Sequence, residues 1–270
     1  MIVTLTTDFG TRDGYVAAMK GAMLCSAAGL TMVDVTHEVP GQDVMAAAFA
    51  LRDVVGHFPA GTVHLVVVDP GVGTDRRAIA ARFQARGTDQ LFVGPDNGLL
   101  PLIASQDSIT DIVELDARSA PSRTFHGRDV FGPTAARLAT GTELSDLGAP
   151  VDELTPLHWP LPRLDEQGVY GMVLHVDAFG NCLTNITRAD LDAVRAGRRF
   201  KCFAGSAVLR HHVGTYGEAS AGDAVTLFSS GGLLEIAVSR GDAAQLLSVS
   251  RGDAVNLVFE GIALPEPATS

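Results

Sequence analysis

The alternation of strand-like and helix-like segments in the first half of the chain constrains its fold more than any other feature. Short runs rich in β-branched residues occupy residues 2–7, 31–35 and 62–68. Longer stretches with helical patterning, residues 15–28 and 44–58, separate them. Further strand-like runs follow at residues 78–83, 90–93 and 111–115. Because strands joined by a crossover helix pair in parallel, this order predicts an α/β domain with a mainly parallel sheet and helices on its faces.

After a proline-rich stretch the pattern changes to shorter strands broken by turns. Strand-like runs occupy residues 169–176, 183–186, 200–209, 224–228, 233–238 and 254–259. One clear helical pattern covers residues 189–196, so this half is predicted to be mainly β and barrel-like. The sequence therefore predicts an N-terminal domain at residues 1–155, a linker at residues 156–167 and a smaller C-terminal domain at residues 168–270.

The chain is acidic, with a formal net charge of −11 and an isoelectric point near 5.0. No cluster of Lys and Arg offsets this field, which repels nucleic acid and anionic membranes. The first ten residues contain no basic segment before the apolar ones, and no apolar run approaches the roughly 18 residues of a membrane span. We therefore expect a cytoplasmic protein whose partner is a small-molecule substrate.

Polar or Gly/Pro-rich residues follow each of the first three predicted strands, at residues 7–10, 36–38 and 69–73. In open α/β sheets, ligands bind at the carboxyl ends of the strands, so these loops should share one rim and form the active site. Asp8 stands at the first strand end, where a carboxylate can accept two hydrogen bonds and suits a vicinal diol such as ribose. Asp13 is expected at the N-cap of the helix that follows.

The densest charged loop at a strand end runs from Asp69 to Arg77. Its GVG triplet is a weak match to a phosphate loop, because no third glycine or Walker lysine follows and the next residues have a strand pattern. A salt bridge between Asp69 and Arg76 that merely fixes a turn is an open structural interpretation of the same loop.

His126 lies in the sequence FHGRD, just before a helical pattern at residues 131–138. A lone histidine is more often a packed or capping residue than a catalyst, although the Arg and Asp that follow favour a functional role. The other seven histidines are scattered along the chain and specify no metal cluster. A metal-dependent hydrolase that uses Asp8, Asp69 and His126 stays an alternative.

The loops of the predicted second domain carry groups that suit a nucleoside. Phe179, Gly180 and Asn181 can clamp a purine by stacking and hydrogen bonding, although the same residues describe an ordinary turn. The SSGG sequence at residues 229–232 exposes hydroxyl and backbone N–H groups suited to a carboxylate, and the strand at residues 233–238 offers edge amides to a base.

Taken together, six segments resemble the S-adenosyl-methionine (SAM) hydroxide adenosyltransferase family, which is related to enzymes that attack the same carbon with fluoride or chloride. The segments are TTDFGTRDGYV (6–16), VDPGVGTDRR (68–77), PDNG (95–98), TFHGRDVF (124–131), DAFGNCLTNI (177–186) and SSGGLLEIAVSRG (229–241). They match in order over nearly the whole chain and are specific jointly, although each alone is weak. The resemblance implies a homotrimer in which SAM lies between the N-terminal domain of one subunit and the C-terminal domain of its neighbour.

The resemblance also implies how the substrate is held. Asp8 would bind the ribose hydroxyls. The adenine-binding set would comprise Phe179, Asn181 and the stacking ring of Tyr216, with the backbone of Val238 and Arg240. Ser230 would hold the methionine carboxylate, and Glu235 would support the same pocket.

In the hydrolytic branch of the family an Asp, an Arg and a His surround the attacking water, and these correspond to Asp69, Arg76 and His126. The halogenating relatives have an uncharged residue at the aspartate position, and the fluorinating ones carry a serine where this chain has Gly127. The resemblance therefore implies an enzyme that hydrolyses SAM to adenosine and methionine by attack of water or hydroxide at ribose C5′, without a cofactor or metal. The alternatives are a non-catalytic adenosine- or SAM-binding protein and a SAM-dependent halogenase.

Overall fold

The computed structural model describes residues 1–261, so residues 262–270 of the predicted second domain lie outside the described residues. The chain divides into two compact units, Met1–His158 and Trp159–Ser270. This division falls within the segment that the sequence indicated as a linker, and that segment also contains a short strand, Arg163–Asp165. Among the helices within residues 1–261, none is both long and apolar enough for a membrane span.

The first unit consists of one sheet with helices packed on it, which confirms the predicted α/β class. Its strands are β1 (Ile2–Thr7), β2 (Thr31–Thr36), β3 (Thr62–Val67), β4 (Ala78–Ala85), β5 (Thr88–Pro95), β6 (Ile109–Leu115) and β7 (Gly148–Pro150). Its helices are α1 (Tyr15–Ser26), α2 (Val44–Arg52), α3 (Leu99–Ile103) and α4 (Gly132–Ala139). Helix α2 is shorter than the helical pattern at residues 44–58, since a 3₁₀ turn follows at Val55–His57.

The sheet of the first unit is mixed, whereas the sequence predicted mainly parallel pairing. Its strand order is β2-β1-β3-β5-β4-β6-β7. The neighbouring pairs β2-β1, β1-β3 and β3-β5 are parallel. The pairs β5-β4, β4-β6 and β6-β7 are antiparallel. The direction changes at the two-residue turn of Arg86 and Gly87, whose φ angles of 51° and 73° are the positive values that a tight hairpin requires.

Strand β3 lies at the centre of the parallel part, and all six of its residues are buried. A strand covered on both faces is a continuous apolar run rather than an alternating one, as its sequence TVHLVV shows. The exception, His64, contacts Thr4 Oγ1 through Nδ1 at 2.8 Å and Gln90 Oε1 through Nε2 at 3.3 Å. Burial lowers the pKa of His64 to about 4, so the ring is neutral within this core.

The second unit is mainly β and nearly closes into a barrel, as the sequence predicted. Its strands are β8 (Arg163–Asp165), β9 (Gly168–Val176), β10 (Cys182–Thr187), β11 (Phe200–Ala204), β12 (Ala207–Leu209), β13 (Ala224–Phe228), β14 (Leu233–Val238) and β15 (Ala254–Phe259). The antiparallel order is β12-β11-β15-β9-β10-β14-β13, with β8 paired to β9. A bridge between His212 and Thr226 brings the chain after β12 onto β13.

Two local expectations for the second unit need correction. The predicted strand at residues 200–209 is a hairpin of β11 and β12, because Gly205 has a φ of 55° and turns the chain. The predicted helix is present as α5 (Arg188–Arg195), but a second, short helix, α6 (Ala243–Leu247), was missed. It begins at a conventional N-cap, where the side chain of Asp242 accepts a hydrogen bond from the backbone of the third helical residue at 2.7 Å.

We predict that Leu5→Ala destabilises the first unit by about 2–5 kcal/mol, because Leu5 is fully buried in β1 and its truncation leaves a cavity in the core. Urea unfolding followed by circular dichroism measures the change. Leu24→Ala in α1 is the matched control, since 55% of Leu24 is exposed. Equal losses in the two variants would contradict the assignment of β1 to the centre of the core.

Candidate active site

The carboxyl ends of β1, β2 and β3 lie side by side, which confirms the predicted common rim. In the parallel register Thr7 of β1 stands opposite Val67 of β3. Asp8 follows directly after the first strand and Asp69 comes two residues after the third. Parallel pairing therefore places both carboxylates at one edge of the sheet.

Arg76 contacts both Asp69 and His126, although 50 residues separate the arginine from the histidine in sequence. Arg76 Nε donates to Asp69 Oδ1 at 3.0 Å, and its Nη2 makes a second, shorter contact with Asp69 Oδ2. The same Nη2 lies 3.2 Å from His126 Nδ1. Only 8% of the arginine side chain and 6% of the aspartate side chain are exposed, so the pair is largely removed from water.

A π-helical turn, Gly127–Phe131, positions the histidine at the start of α4. His126 is the residue before this turn and is 5% exposed. The fully buried Phe131 packs on both partners, with its ring centroid 6.4 Å from the His126 ring and 5.4 Å from the Arg76 guanidinium carbon. Such turns cost regular helical hydrogen bonding and are frequent at functional sites.

Burial and the Arg76 cation set the charges of this cluster. Burial raises the pKa of Asp69 above its ordinary value, more than the adjacent Arg76 lowers it. Burial and the same cation lower the pKa of His126, so its ring is neutral near pH 7.

The contact with Arg76 also fixes the tautomer of His126. A guanidinium has only donors, so Nδ1 of the histidine must accept the hydrogen bond. The proton of the neutral ring is then on Nε2, and this nitrogen can donate but cannot take up a proton. Of the three groups, the Asp69 carboxylate is the one with free capacity to accept a proton.

A small pocket of about 130 Å³ lies against this cluster within the first unit. Its walls include Asp8, Asp69, His126, Phe9 and Phe125. The rings of Phe9 and Phe125 are 5.7 Å apart and nearly perpendicular, so the pocket joins an apolar wall to two carboxylates.

A larger cleft of about 530 Å³ borders the same cluster. Arg76 lines this cleft, Asp69 lines only the small pocket, and His126 lines both. The aspartate therefore faces the smaller space, and the histidine stands between the two.

Asp8 is partly buried, and its Oδ2 accepts a hydrogen bond from the backbone N–H of Gln42 at 2.8 Å. Asp8 has no contact with the Asp69 cluster among the hydrogen bonds described for residues 1–261, in keeping with a separate role. The expectation that Asp13 caps α1 is wrong, because Gly14 is the N-cap and no side chain bonds to the first turn.

In the second unit, Asp177 organises the loop that carries Phe179 and Asn181. Its Oδ1 accepts from the backbone N–H of Phe179 at 2.8 Å and of Asn181 at 2.9 Å, and its Oδ2 accepts from the Asn181 side chain at 3.0 Å. The Phe179 ring is 79% exposed at the loop tip, whereas Asn181 is buried. Gly180, with a φ of 82°, is required there, since a Cβ would lie 2.2 Å from Asp242.

Tyr216 and Glu235 form one hydrogen-bonded pair, in which the tyrosine hydroxyl donates to Glu235 Oε1 at 2.5 Å. Burial raises the pKa of Glu235, and the nearby Asp177 carboxylate raises it further, while the bond from Tyr216 opposes this. Burial also raises the pKa of Tyr216, as does the carboxylate that it contacts. The tyrosine is nevertheless 47% exposed, so part of its ring is open to a ligand.

The remaining predicted residues of the second unit lie at two ends of β14. Ser230 is exposed in the turn before this strand, whereas Val238 is its last residue and Arg240 follows in a turn with a φ of 58°. The structure thus brings Tyr216 and Glu235 together but separates Ser230 from Val238 by the length of a six-residue strand.

Sequence reasoning missed Asp177, Gln42 and Ser229. Asp177 is the first residue of the DAFGNCLTNI segment. Its position two residues before Phe179 is the Asx-turn signal that could have identified it. Gln42 has a φ of 64°, which no sequence pattern indicated. The Ser229 hydroxyl is buried and has no hydrogen-bond partner within residues 1–261, a feature visible only in three dimensions.

An α/β unit with a cation-held carboxylate at its strand ends and a separate barrel-like unit together define a two-domain enzyme. Its sequence matches the SAM hydroxide adenosyltransferase N-terminal domain over residues 3–148 and the corresponding C-terminal domain over residues 171–256. The chain therefore belongs to the SAM hydroxide adenosyltransferase family.

Individual relatives agree with this membership. The chain is 41% identical over 255 residues to the (R)-S-adenosyl-L-methionine hydrolase of Salinispora tropica, covering 92% of this chain and 94% of that protein. It is 31% identical over 223 residues to a fluorinase of Actinoplanes sp., covering 73% and 75%. A crystal structure of an uncharacterized conserved protein from Thermotoga maritima superposes with a TM-score of 0.85 at 34% identity and covers 96% of this chain and all of that one.

We predict that Arg76→Met raises the pKa of His126, because the Arg76 cation now lowers it. A nuclear magnetic resonance titration of labelled histidine measures this change. Arg77→Met is the matched control, since this neighbouring arginine pairs with Asp96 instead. If His126 has the same pKa in both variants, the contact between Arg76 and His126 is wrong.

Proposed function

We propose that this chain hydrolyses SAM to adenosine and methionine by attack of water at ribose C5′. The observation that carries this proposal is the Asp69 carboxylate, which lines the small pocket and is held by Arg76 beside His126. The name of the Salinispora tropica relative supports the same substrate and the same hydrolytic outcome.

The reaction does not require a general acid at the leaving group. The sulfonium of SAM leaves as neutral methionine thioether when the bond from sulfur to C5′ breaks, so no proton is needed there. Water supplies the new bond from oxygen to C5′ and must lose one proton. The site therefore has to position one water and accept that proton.

Asp69 takes the proton in this proposal. Its pKa is raised by burial, and the two ring nitrogens of His126 are already engaged as an acceptor from Arg76 and as a donor, so the carboxylate is the group able to accept the proton. Arg76 stabilises the hydroxide character that develops on the water, and the Nε2–H of His126 can orient it. A metal bound between Asp69 and His126 would have to displace the guanidinium from both, which favours a mechanism without metal or cofactor.

Substrate binding is assigned to both units. Asp8 would take the ribose diol beside the pocket, and Ser230 the methionine carboxylate. The adenine contacts would be those of Phe179, Asn181, Tyr216, Val238 and Arg240, with Glu235 holding the tyrosine hydroxyl.

We further propose a cytoplasmic homotrimer whose sites lie between the first unit of one subunit and the second unit of its neighbour. Exposed aromatic rings support this arrangement, since Phe179 is 79% and Tyr15 53% exposed. The name of the Salinispora tropica relative also favours the (R) sulfonium epimer as the substrate.

A halogenase is the second candidate because a fluorinase is among the relatives. The charge of the pocket argues against it, since Asp8 and Asp69 both line a small space that a halide would have to enter. A purely binding role would leave the buried Asp69 carboxylate, held by Arg76 beside His126, without a use.

The first test is product formation. Incubated with either sulfonium epimer of SAM, the purified protein should release adenosine and methionine in equal amounts, faster from the (R) epimer. The same reaction in molar chloride should give no 5′-chloro-5′-deoxyadenosine, because the Asp69 carboxylate excludes the anion. Chloride product as the main species would establish a halogenase, and no turnover of either epimer would leave only binding.

The second test identifies the proton acceptor. The reaction should slow as the pH falls and the base gains its proton, and the raised pKa of Asp69 moves this loss to a higher pH than an ordinary aspartate would give. Asp69→Asn should lower kcat by at least ~10²-fold and abolish this acid limb. His126→Gln should also lower kcat but keep an acid limb, because the titrating base is still present. Loss of the limb in His126→Gln alone would transfer the role of base to the histidine.

A further inference from the structure

We propose that Thr7 and His37 are positioning residues that hold Asp8 in place for the ribose through hydrogen bonds to the backbone on either side of it. The inference rests on the proposed contact of Asp8 with the ribose diol. It assigns a role to two buried polar residues that have no part in the chemistry on water.

The chain of hydrogen bonds starts immediately beside Asp8. The Thr7 hydroxyl oxygen accepts from the backbone N–H of Phe9 at 3.3 Å and lies 2.8 Å from His37 Nδ1. Because a hydroxyl oxygen has two lone pairs, the bond from Phe9 leaves the Thr7 hydroxyl able either to donate to Nδ1 or to accept from it. Thr7 is fully buried and His37 is 5% exposed, so water cannot substitute for these bonds.

The other side of the imidazole faces an acidic side chain near the surface. The ring Nε2 faces Asp34 Oδ1 at 3.1 Å, a close polar contact whose geometry falls short of a hydrogen bond. Because a carboxylate only accepts hydrogen, its proximity favours a ring hydrogen on Nε2, which leaves Nδ1 to accept from the Thr7 hydroxyl. Lys20 Nζ in α1 in turn contacts Asp34 Oδ2 at 2.7 Å. The histidine therefore lies between a surface ion pair and the Thr7 hydroxyl, to which it is hydrogen-bonded.

The backbone of His37 holds the same loop a second time. Its carbonyl accepts from the backbone N–H of Gly10 at 2.7 Å, so His37 bonds to the chain on both flanks of the Asp8–Phe9 pair. The ladder between β1 and β2 shifts register between Leu5 and Thr6, and its last pair joins Thr6 to Thr36. The contacts of His37 thus replace regular strand pairing where the two strands end.

A second threonine–histidine pair on β1 supplies a matched control. Thr4 Oγ1 lies 2.8 Å from His64 Nδ1, the same distance, and both residues are fully buried. Thr4 is three residues from Thr7, so their side chains point to opposite faces of the sheet. Loss of the Thr4 hydroxyl should cost similar stability without touching the loop of Asp8.

The test compares binding of adenosine with binding of 2′,3′-dideoxyadenosine, which lacks the diol, by isothermal titration calorimetry on the full-length protein. In the wild-type protein the ratio of the two affinities reports the diol contact. Thr7→Val should reduce this ratio about 5- to 10-fold, as expected for loss of one hydrogen bond that fixes its partner. Thr7→Ser, which keeps the hydroxyl, and Thr4→Val should leave the ratio at the wild-type value.

The histidine is tested in the same way. His37→Leu should reduce the ratio like Thr7→Val, and the double variant should be no worse than either single variant, because both remove the same bond. His37→Asn, whose side-chain oxygen can accept from Thr7, should restore most of the ratio. If His37→Leu does not fold, the Thr7 series alone decides.

Asp8→Ala distinguishes failure of the positioning role from failure of the contact between Asp8 and the ribose. If it abolishes the ratio while Thr7→Val leaves it intact, Asp8 binds the ribose and the positioning role is wrong. If Asp8→Ala itself leaves the ratio intact, the proposed contact of Asp8 with the ribose fails. Equal reductions in Thr7→Val and Thr4→Val would also overturn the inference, because a general loss of packing would then explain both.

Discussion

The ion pair of Asp69 and Arg76 is the interaction on which the site depends. Two charges with 6% and 8% exposed side chains have lost most of their hydration, and only close, multiple contacts offset that cost. The pair holds the loop after β3 against the start of β4 and presents one further donor to His126. Without the guanidinium, the carboxylate would be buried alone and the histidine would lose its fixed tautomer.

The rim that carries this pair could be predicted from the sequence because parallel strands leave little choice. Three apolar runs joined by helices must align their carboxyl ends, so Asp8 and Asp69 share an edge whatever the details of packing. The link from Asp69 through Arg76 to His126 follows from no such rule. It depends on the π-helical turn before α4, which ordinary helical periodicity does not reveal, so only the family resemblance related the two residues.

Other features of the structure could not be predicted because their sequence signals are short or because they depend on the three-dimensional fold. The antiparallel half of the first sheet depends on Arg86 and Gly87, a hairpin turn less distinctive than Asn-Gly or Asp-Gly. The bond between His37 and Thr7 joins the ends of two strands that the sequence identified but whose register it could not fix. Asp13 has the right residue type for an N-cap, yet α1 begins two residues later.

The absent side chain at Gly127 couples two positions that are far apart in sequence. A Cβ there would stand 3.1 Å from the ring of Phe9 and 3.4 Å from Val67, closer than side chains ordinarily pack. A side chain added at position 127 therefore requires the Phe9 ring to move by a few tenths of an ångström. The room left for a nucleophile in this pocket is therefore set jointly by residues 9 and 127, although more than a hundred positions of sequence separate them.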